Sequence, residues 1–304
     1  MNELPENAAN GLPIAAVERE TGIPKDLLRM WERRYGFPQP ARDAAGDRLY
    51  SQADLARLKL IRRLLDMGFR PGKLMAMSDA QLQALSTEHT PQREPTDLCQ
   101  GLVAALHSQD AQATRAYLRH RMLELGLRRF AVEFLPEANQ LVGEAWIRGE
   151  VQVAEEHLYS EAVSRVMRET LSAIPGGAMT PRVMLTTPPG EMHILGLLMA
   201  ESVLRLAGCE AIAFGAQMPL QDIAFAADKH RVDIVVLSFS ASYEDNPHAV
   251  IEQLAASLPP QVELWVGGGG CRGLKQLPAQ VRHLQQLAQL DDMVTRWRQQ
   301  RATV

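Results

Sequence analysis

Hydrophobic and polar positions follow three different rhythms along this chain. Residues 12–79 carry short helical periods broken by Gly and Pro, with Ile14, Val17, Ile23 and Leu27 placed to form a small core. Residues 80–96 (AQLQALSTEHTPQREPT) show no sustained apolar period and hold two prolines, which predicts a linker. Residues 97–174 read as helix nearly throughout, rich in Ala, Leu, Arg and Glu, and IPGGAMTP (174–181) is a clear break.

From residue 182 the rhythm changes. RVMLTT (182–187), EAIAFG (210–215), DIVVLSFS (233–240) and VELWVGGGG (262–270) are short apolar runs that predict strands. Between and after them, 192–208, 219–231, 246–258 and 287–300 predict helices, the first stopped by Gly208. Strands alternating with helices imply parallel βαβ units. A run as continuously apolar as DIVVLSFS fits the buried middle of a parallel sheet.

Composition narrows the class. The 304 residues are 46% hydrophobic and 22% charged, ordinary for a globular protein of two or three domains. No apolar run approaches the ~18 residues of a membrane span. The polar start, MNELPENAANGLP, lacks the features of a secretory signal, so a cytoplasmic protein with no membrane partner is expected. Cys99, Cys209 and Cys271 stand far apart, in no zinc-like spacing, and read as reduced thiols. Net charge is −4, but residues 1–75 hold thirteen Lys/Arg against ten Asp/Glu, a balance of +3, which leaves −7 on the rest. A basic end on an acidic body points to nucleic acid.

Within that basic end lies a helix, a turn at Thr21-Gly22-Ile23-Pro24 and a second helix. The second helix presents Lys25, Arg29 and Arg33 four residues apart on one face, a stripe that suits a major groove. Trp31 is expected in the core rather than on DNA. Pro38, Pro40 and Arg42 punctuate a loop, Arg48-Leu49-Tyr50 follows, and Ser51 suits the N-cap of QADLARLKLIRRLLDMGF. These elements in this order resemble the MerR family over essentially all of 12–79. The resemblance implies a winged helix-turn-helix binding double-stranded DNA, with Arg48 and Tyr50 gripping the backbone. MerR proteins usually dimerise through a long helix after this region. Here that helix is interrupted by Pro71-Gly72, so self-association, as dimer or tetramer, falls to the rest of the chain.

A second motif, Glu191-Met192-His193-Ile194-Leu195-Gly196, follows the first predicted strand. His193 then stands at a strand's carboxyl end, where open α/β sheets bind ligands. Imidazole suits a transition metal, and Glu191 is placed to hold its other ring nitrogen. Ser238-Phe239-Ser240 and Gly267-Gly268-Gly269-Gly270 end two further strands on the same rim. This set resembles the cobalamin-binding Rossmann-like domain, a doubly wound parallel sheet, here over 181–304. The resemblance implies His193 as the lower axial ligand of cobalt, Ser238 bonded to the displaced base, and Gly267 and Gly268 giving passage to the nucleotide tail. Ser240 stands where that family has Leu or Thr, and Gly196 admits something bulky at the helix start.

Trp146 and, nine intervening residues on, Glu156-His157 make a W-x9-EH element. In a four-helix bundle (97–174) capping a cobalamin domain, this resembles the CarH/LitR class of light-responsive MerR regulators. It implies that Trp146 covers the upper cofactor face and that Glu156 and His157 contact an adenosyl group, hence adenosylcobalamin. That class has a His directly after the Trp, which captures cobalt in the light. Here it is Ile147, which cannot ligate a metal. The expected protein is multidomain α and α/β, and a cofactor-controlled transcriptional regulator (a repressor by resemblance) rather than an enzyme. The alternatives are a MerR-type regulator that uses another chromophore or tetrapyrrole, or none, and a corrinoid methyl carrier or cobalamin-dependent enzyme component. The last lacks any substrate barrel, which needs about 200 further residues.

Overall fold

The computed structural model describes residues 11–43, 45–66, 69–89, 95–174, 179–241, 243 and 245–302. They fall into two compact units, Met1–Pro95 with Gln140–Glu156, and Thr96–Asn139 with His157–Val304.

The first unit opens with β1 (Leu12–Pro13), α1 (Ile14–Thr21), α2 (Lys25–Tyr35), β2 (Ala41–Arg42), β3 (Arg48–Tyr50), α3 (Gln52–Asp66), α4 (Pro71–Met75) and α5 (Asp79–His89). Gly22 ends α1 at φ 68°, a left-handed cap that glycine adopts without strain. The α2 start has no capping side chain of its own. Instead the Glu18 carboxylate accepts from the Lys25 backbone N–H at 2.9 Å and ties the two helices together. The strands form an antiparallel sheet in the order β1-β3-β2. Ser51 caps α3 as expected, its hydroxyl accepting from the Asp54 N–H at 3.0 Å. Val17, Ile23, Leu28, Trp31 and Ile61 are buried in one core, so Trp31 is a packing residue.

The expected linker at 80–96 is corrected in part. Residues 79–89 are α5, with Leu82 and Ser86 buried, while 90–94 lie outside the described residues. The helix has little amphipathic character of its own. It is held by tertiary burial of Leu82, which a periodicity reading does not see.

Residues 97–174 form α6 (Leu102–Leu106), α7 (Ala113–Arg129), a π-helical turn (Phe130–Phe134), α8 (Leu135–Arg148) and α9 (Val153–Ser172). The sequence predicts one bundle domain here, yet the boundaries of the compact units fall inside α8 and α9. Residues 175–178 of the expected break lie outside the described residues.

The rest of the second unit is β4 (Met179–Thr186), α10 (Leu195–Leu206), β5 (Cys209–Gly215), α11 (Leu220–Lys229), β6 (Ile234–Ser238), α12 (Pro247–Ser257), β7 (Glu263–Gly267), β8 (Val281–Leu284) and α13 (Leu290–Ala302). All five strands are parallel, in the order β5-β4-β6-β7-β8. Alternation along the strands feeds two cores. Met184, Val235, Leu237 and Leu264 pack under α11 and α12, while Val183, Leu185, Val236 and Trp265 pack under α10 and α13. The topology reverses between β4 and β6, which opens a crevice at their carboxyl ends.

All three cysteines are unpaired and buried, and burial pushes their thiols up, Cys209 to about 11 and Cys99 and Cys271 to about 12. They are packing groups rather than nucleophiles. Among the described residues no helix is long and apolar enough to cross a membrane.

Candidate functional site

The turn after β4 is built for His193. The Thr187 hydroxyl donates to the Glu191 carbonyl at 2.6 Å and accepts from the Gln217 N–H at 2.8 Å, anchoring the loop to the segment after β5. Glu191 is 1% exposed. Its Oε1 accepts from the His193 backbone N–H at 2.9 Å and meets the ring Nδ1 at 2.7 Å, and its Oε2 accepts from the Ser240 N–H at 2.6 Å. Burial alone would push this carboxyl up. The bonds from the His193 ring, the His193 backbone and Ser240 outweigh it and hold the group below its ordinary value. An ionised carboxylate at Nδ1 fixes the Nδ1–H tautomer and puts the ring lone pair on Nε2. The His193 side chain is 65% exposed, so the imidazole stands at the surface on a buried anionic base.

Beside it lies a cavity of about 670 Å³, on the α10 and α13 side of the sheet. Gly196, Ser238, Gly267 and Gly268 line it, with Trp265, His283 and Leu287. Four expected residues thus share one chamber, and Glu191, His193 and Ser240 form its hydrogen-bonded neighbour. Gly196 leaves room for the Ser238 hydroxyl, since a Cβ there would stand 2.6 Å from it and force that hydroxyl to turn. The glycine run has a reason besides ligand access. A Cβ on Gly268 would meet the Phe239 carbonyl oxygen at 2.2 Å, and one on Gly270 the Ser240 carbonyl at 2.5 Å. These glycines let the loops after β6 and β7 cross at backbone contact. Thr187 and Gln217 carry no sequence signal, because only the folded loop joins them.

The chemistry of the donor set is specific. Among the described residues no group of three or more His, Cys, Asp and Glu is placed to hold a metal ion. A metal taken by His193 would therefore draw its remaining ligands from water or from a group bound with it. A cavity of this size suits a heterocyclic appendage of such a group. The buried Ser240 hydroxyl, beside the Glu191 carboxylate, offers one more polar contact.

The remaining expected cofactor residues sit elsewhere in the chain. Trp146 and Glu156 belong to the first unit, Trp146 near the end of α8 and Glu156 in the first turn of α9, whereas His157 belongs to the second. Trp146 is half-buried, with the Arg63 guanidinium 5.9 Å from its ring centroid. Ile147 offers its carbonyl to the Ser86 hydroxyl at 3.3 Å.

On the head, Lys25, Arg29, Arg33 and Arg42 are exposed. Arg29 pairs with Asp26 at 3.0 Å, and Arg42 donates to the Gly46 carbonyl at 2.7 Å across the β2–β3 turn. Tyr50 differs from expectation. It is fully buried, and its hydroxyl donates to Glu32 at 2.7 Å, while Arg48 Nε donates to the same carboxylate at 2.9 Å. Tyr50 thus braces the wing from inside rather than presenting itself to phosphate. Burial, then the Glu32 bond, raise its pKa. Glu32, which sequence reasoning passes over, joins α2 to β3. Replacing it with Ala strands a buried hydroxyl, and the head is expected to lose about 1–3 kcal/mol. Urea unfolding of Glu32→Ala checks this, with Tyr50→Phe as the milder comparison.

Comparison with known proteins agrees with this architecture. Residues 12–81 match the model of the MerR HTH family regulatory proteins, and residues 181–295 that of the B12 binding domain. The chain is 31% identical to the HTH-type transcriptional repressor CarH of Myxococcus xanthus, over 83% of this chain and 86% of that one. It is 27% identical to the repressor CarA of the same organism, over 86% and 88%. A monomethylamine corrinoid protein of Methanosarcina barkeri superposes with a TM-score of 0.52 at 16% identity, covering 65% of this chain and 96% of that one, which shows the shared fold. A helix-turn-helix head, a five-stranded parallel α/β domain and similarity along most of the length lead to one conclusion: the chain belongs to the MerR-type DNA-binding transcriptional regulators that carry a B12-binding domain, the family of CarH and CarA.

Proposed function

We propose that the protein is an adenosylcobalamin-dependent, light-responsive repressor, acting in the cytoplasm on operator DNA as a self-associated assembly, dimer or tetramer. The observation that carries this reading is the Glu191 carboxylate. It bonds the His193 ring and the Ser240 backbone at the reversal of the sheet, beside a chamber lined by Ser238 and Gly267. That arrangement offers one oriented imidazole to a metal that brings its own macrocycle. His193 would be the protein's ligand to the metal, Ser238 would bond the cofactor's displaced base, and the chamber would hold its nucleotide tail. Trp146, Glu156 and His157 would meet the cofactor's adenosyl group, a role that rests on the W-x9-EH spacing. The bound cofactor supplies a photolabile cobalt–carbon bond. Lys25, Arg29, Arg33, Arg42 and Arg48 meet DNA, with Tyr50 acting through Glu32. Their phosphate contacts make binding salt-dependent, and self-association multiplies the slope.

The test is electrophoretic mobility of promoter DNA from the protein's own operon, in the dark and after green light, with and without adenosylcobalamin. Absorption spectra are recorded in parallel. The expected result is tight binding only in the dark with cofactor. Equal binding in all four conditions overturns the reading. A spectrum that changes in light without a change in DNA binding leaves a cobalamin protein that is not a photoswitch, the outcome that Ile147 favours over loss of cobalamin binding.

A further inference from the structure

Arg63, near the end of head helix α3, is unusual among the arginines of this chain. It has no carboxylate partner among the described residues, and burial lowers its pKa. A desolvated cation seeks compensation, and the indole of Trp146 supplies it, with the guanidinium 5.9 Å from the ring centroid. The fit is close. Gly149, three residues on, has φ +81°, and a Cβ there would stand 2.7 Å from Arg63 Nη1. A second tie lies beside it, from Ser86 of α5 to the Ile147 carbonyl. The stretch Trp146–Gly149 is thus seated on two helices of the DNA-binding head, within one compact unit.

We propose that Arg63 is a positioning residue that links the head to the cofactor: it holds the Trp146 indole, and a corrinoid that takes the indole face covered by Arg63 must displace it. This rests on the reading above, in which Trp146 meets the corrin. By linkage, whatever favours the Arg63–Trp146 contact weakens cofactor binding, and bound cofactor weakens the contact in equal measure. Helix α3 carries Arg63 and also packs its Leu58 and Ile61 into the core of the helix-turn-helix, so the release reaches the DNA-binding surface.

The test is spectrophotometric titration of the full chain with adenosylcobalamin in the dark. Arg63→Met keeps the aliphatic stem and removes the charge, and is expected to bind about three- to tenfold more tightly than wild type. Arg63→Lys keeps the cation and should stay near wild type. On a Trp146→Ala background, Arg63→Met should change nothing further. Hydrogen exchange without cofactor supplies a readout that a general stability effect does not mimic: amides of 146–149 speed up in Arg63→Met while those of β4 and β6 do not. If Arg63→Met fails to fold, Arg63→Gln takes its place in both measurements. Equal affinities of wild type and the uncharged variant, or effects of Arg63 and Trp146 that simply add, overturn the proposal and leave cobalamin binding standing. A wild-type chain that takes up no adenosylcobalamin overturns the cobalamin reading, and this inference with it.

Discussion

In His193→Ala, adenosylcobalamin is expected to lose its histidine-ligated, base-off spectrum, and its affinity to fall by at least about 100-fold. Second-sphere partners alone are typically worth about 10–100-fold in metal affinity, and His193 is the ligand itself. His283 lines the adjoining chamber, so His193→Ala/His283→Ala checks that no second imidazole takes its place. The fold should tolerate the change. Alanine keeps the backbone N–H that bonds Glu191, and Ser240 still bonds the other carboxylate oxygen. One hydrogen bond at Nδ1 is lost, worth about 1 kcal/mol net, at a side chain already 65% exposed. A spectral titration beside a thermal melt therefore separates ligation from folding. Retention of the base-off spectrum in a stable His193→Ala protein would remove His193 as the ligand.

Gly268→Ala should have the largest effect on stability. Gly268 has φ 101° and ψ 176°, a conformation essentially reserved for glycine. Its added methyl would lie 2.2 Å from the Phe239 carbonyl oxygen and 3.0 Å from the carbonyl carbon. That backbone cannot yield, because Phe239 N–H donates to Gly267 at 2.9 Å and its carbonyl accepts from Gly270 N–H at 3.1 Å. Strain of about 1–3 kcal/mol and a clash with fixed backbone add to about 3 kcal/mol or more. Gly267→Ala is the control. Its Cβ meets Leu284 at 3.3 Å, a contact that a small shift relieves. Urea unfolding of the three proteins, followed by near-UV circular dichroism, distinguishes them. If Gly268→Ala is as stable as wild type, the glycine serves only the passage of a ligand, the reason that family resemblance assigns to it.

Several elements are legible in the amino-acid pattern alone. The turn at Gly22 is readable because its demands are local: a left-handed cap and a proline that starts the next helix. The strands β4, β6 and β7 are readable because both their faces are buried, which leaves largely apolar runs. His193 is readable because a motif at a strand's carboxyl end has a defined place in any open parallel sheet. By contrast, β8 leaves no signal. It is a four-residue edge strand in which only Val281 is buried, too short to print a period.

The polar chemistry obeys a different rule. The spacing of Glu191 and His193 already implies their contact, but nothing local tells that the second carboxylate oxygen takes the Ser240 N–H, 49 residues away. Nor does it show that Glu32 claims Tyr50 and Arg48 and turns an expected DNA contact into an internal brace. Arg63 and Trp146 are farther apart still, and only packing reveals that one faces the other. Hydrophobic periodicity records what each segment buries, because burial of a face repeats with the geometry of its own backbone. A hydrogen bond or a cation on a ring depends on the register between segments, and that exists only once the chain has folded. Family, domain order and the rim that carries His193 are therefore written in local pattern. Which carboxylate holds the histidine in place, which glycines the crossing loops require, and which arginine holds the tryptophan are settled by tertiary contact.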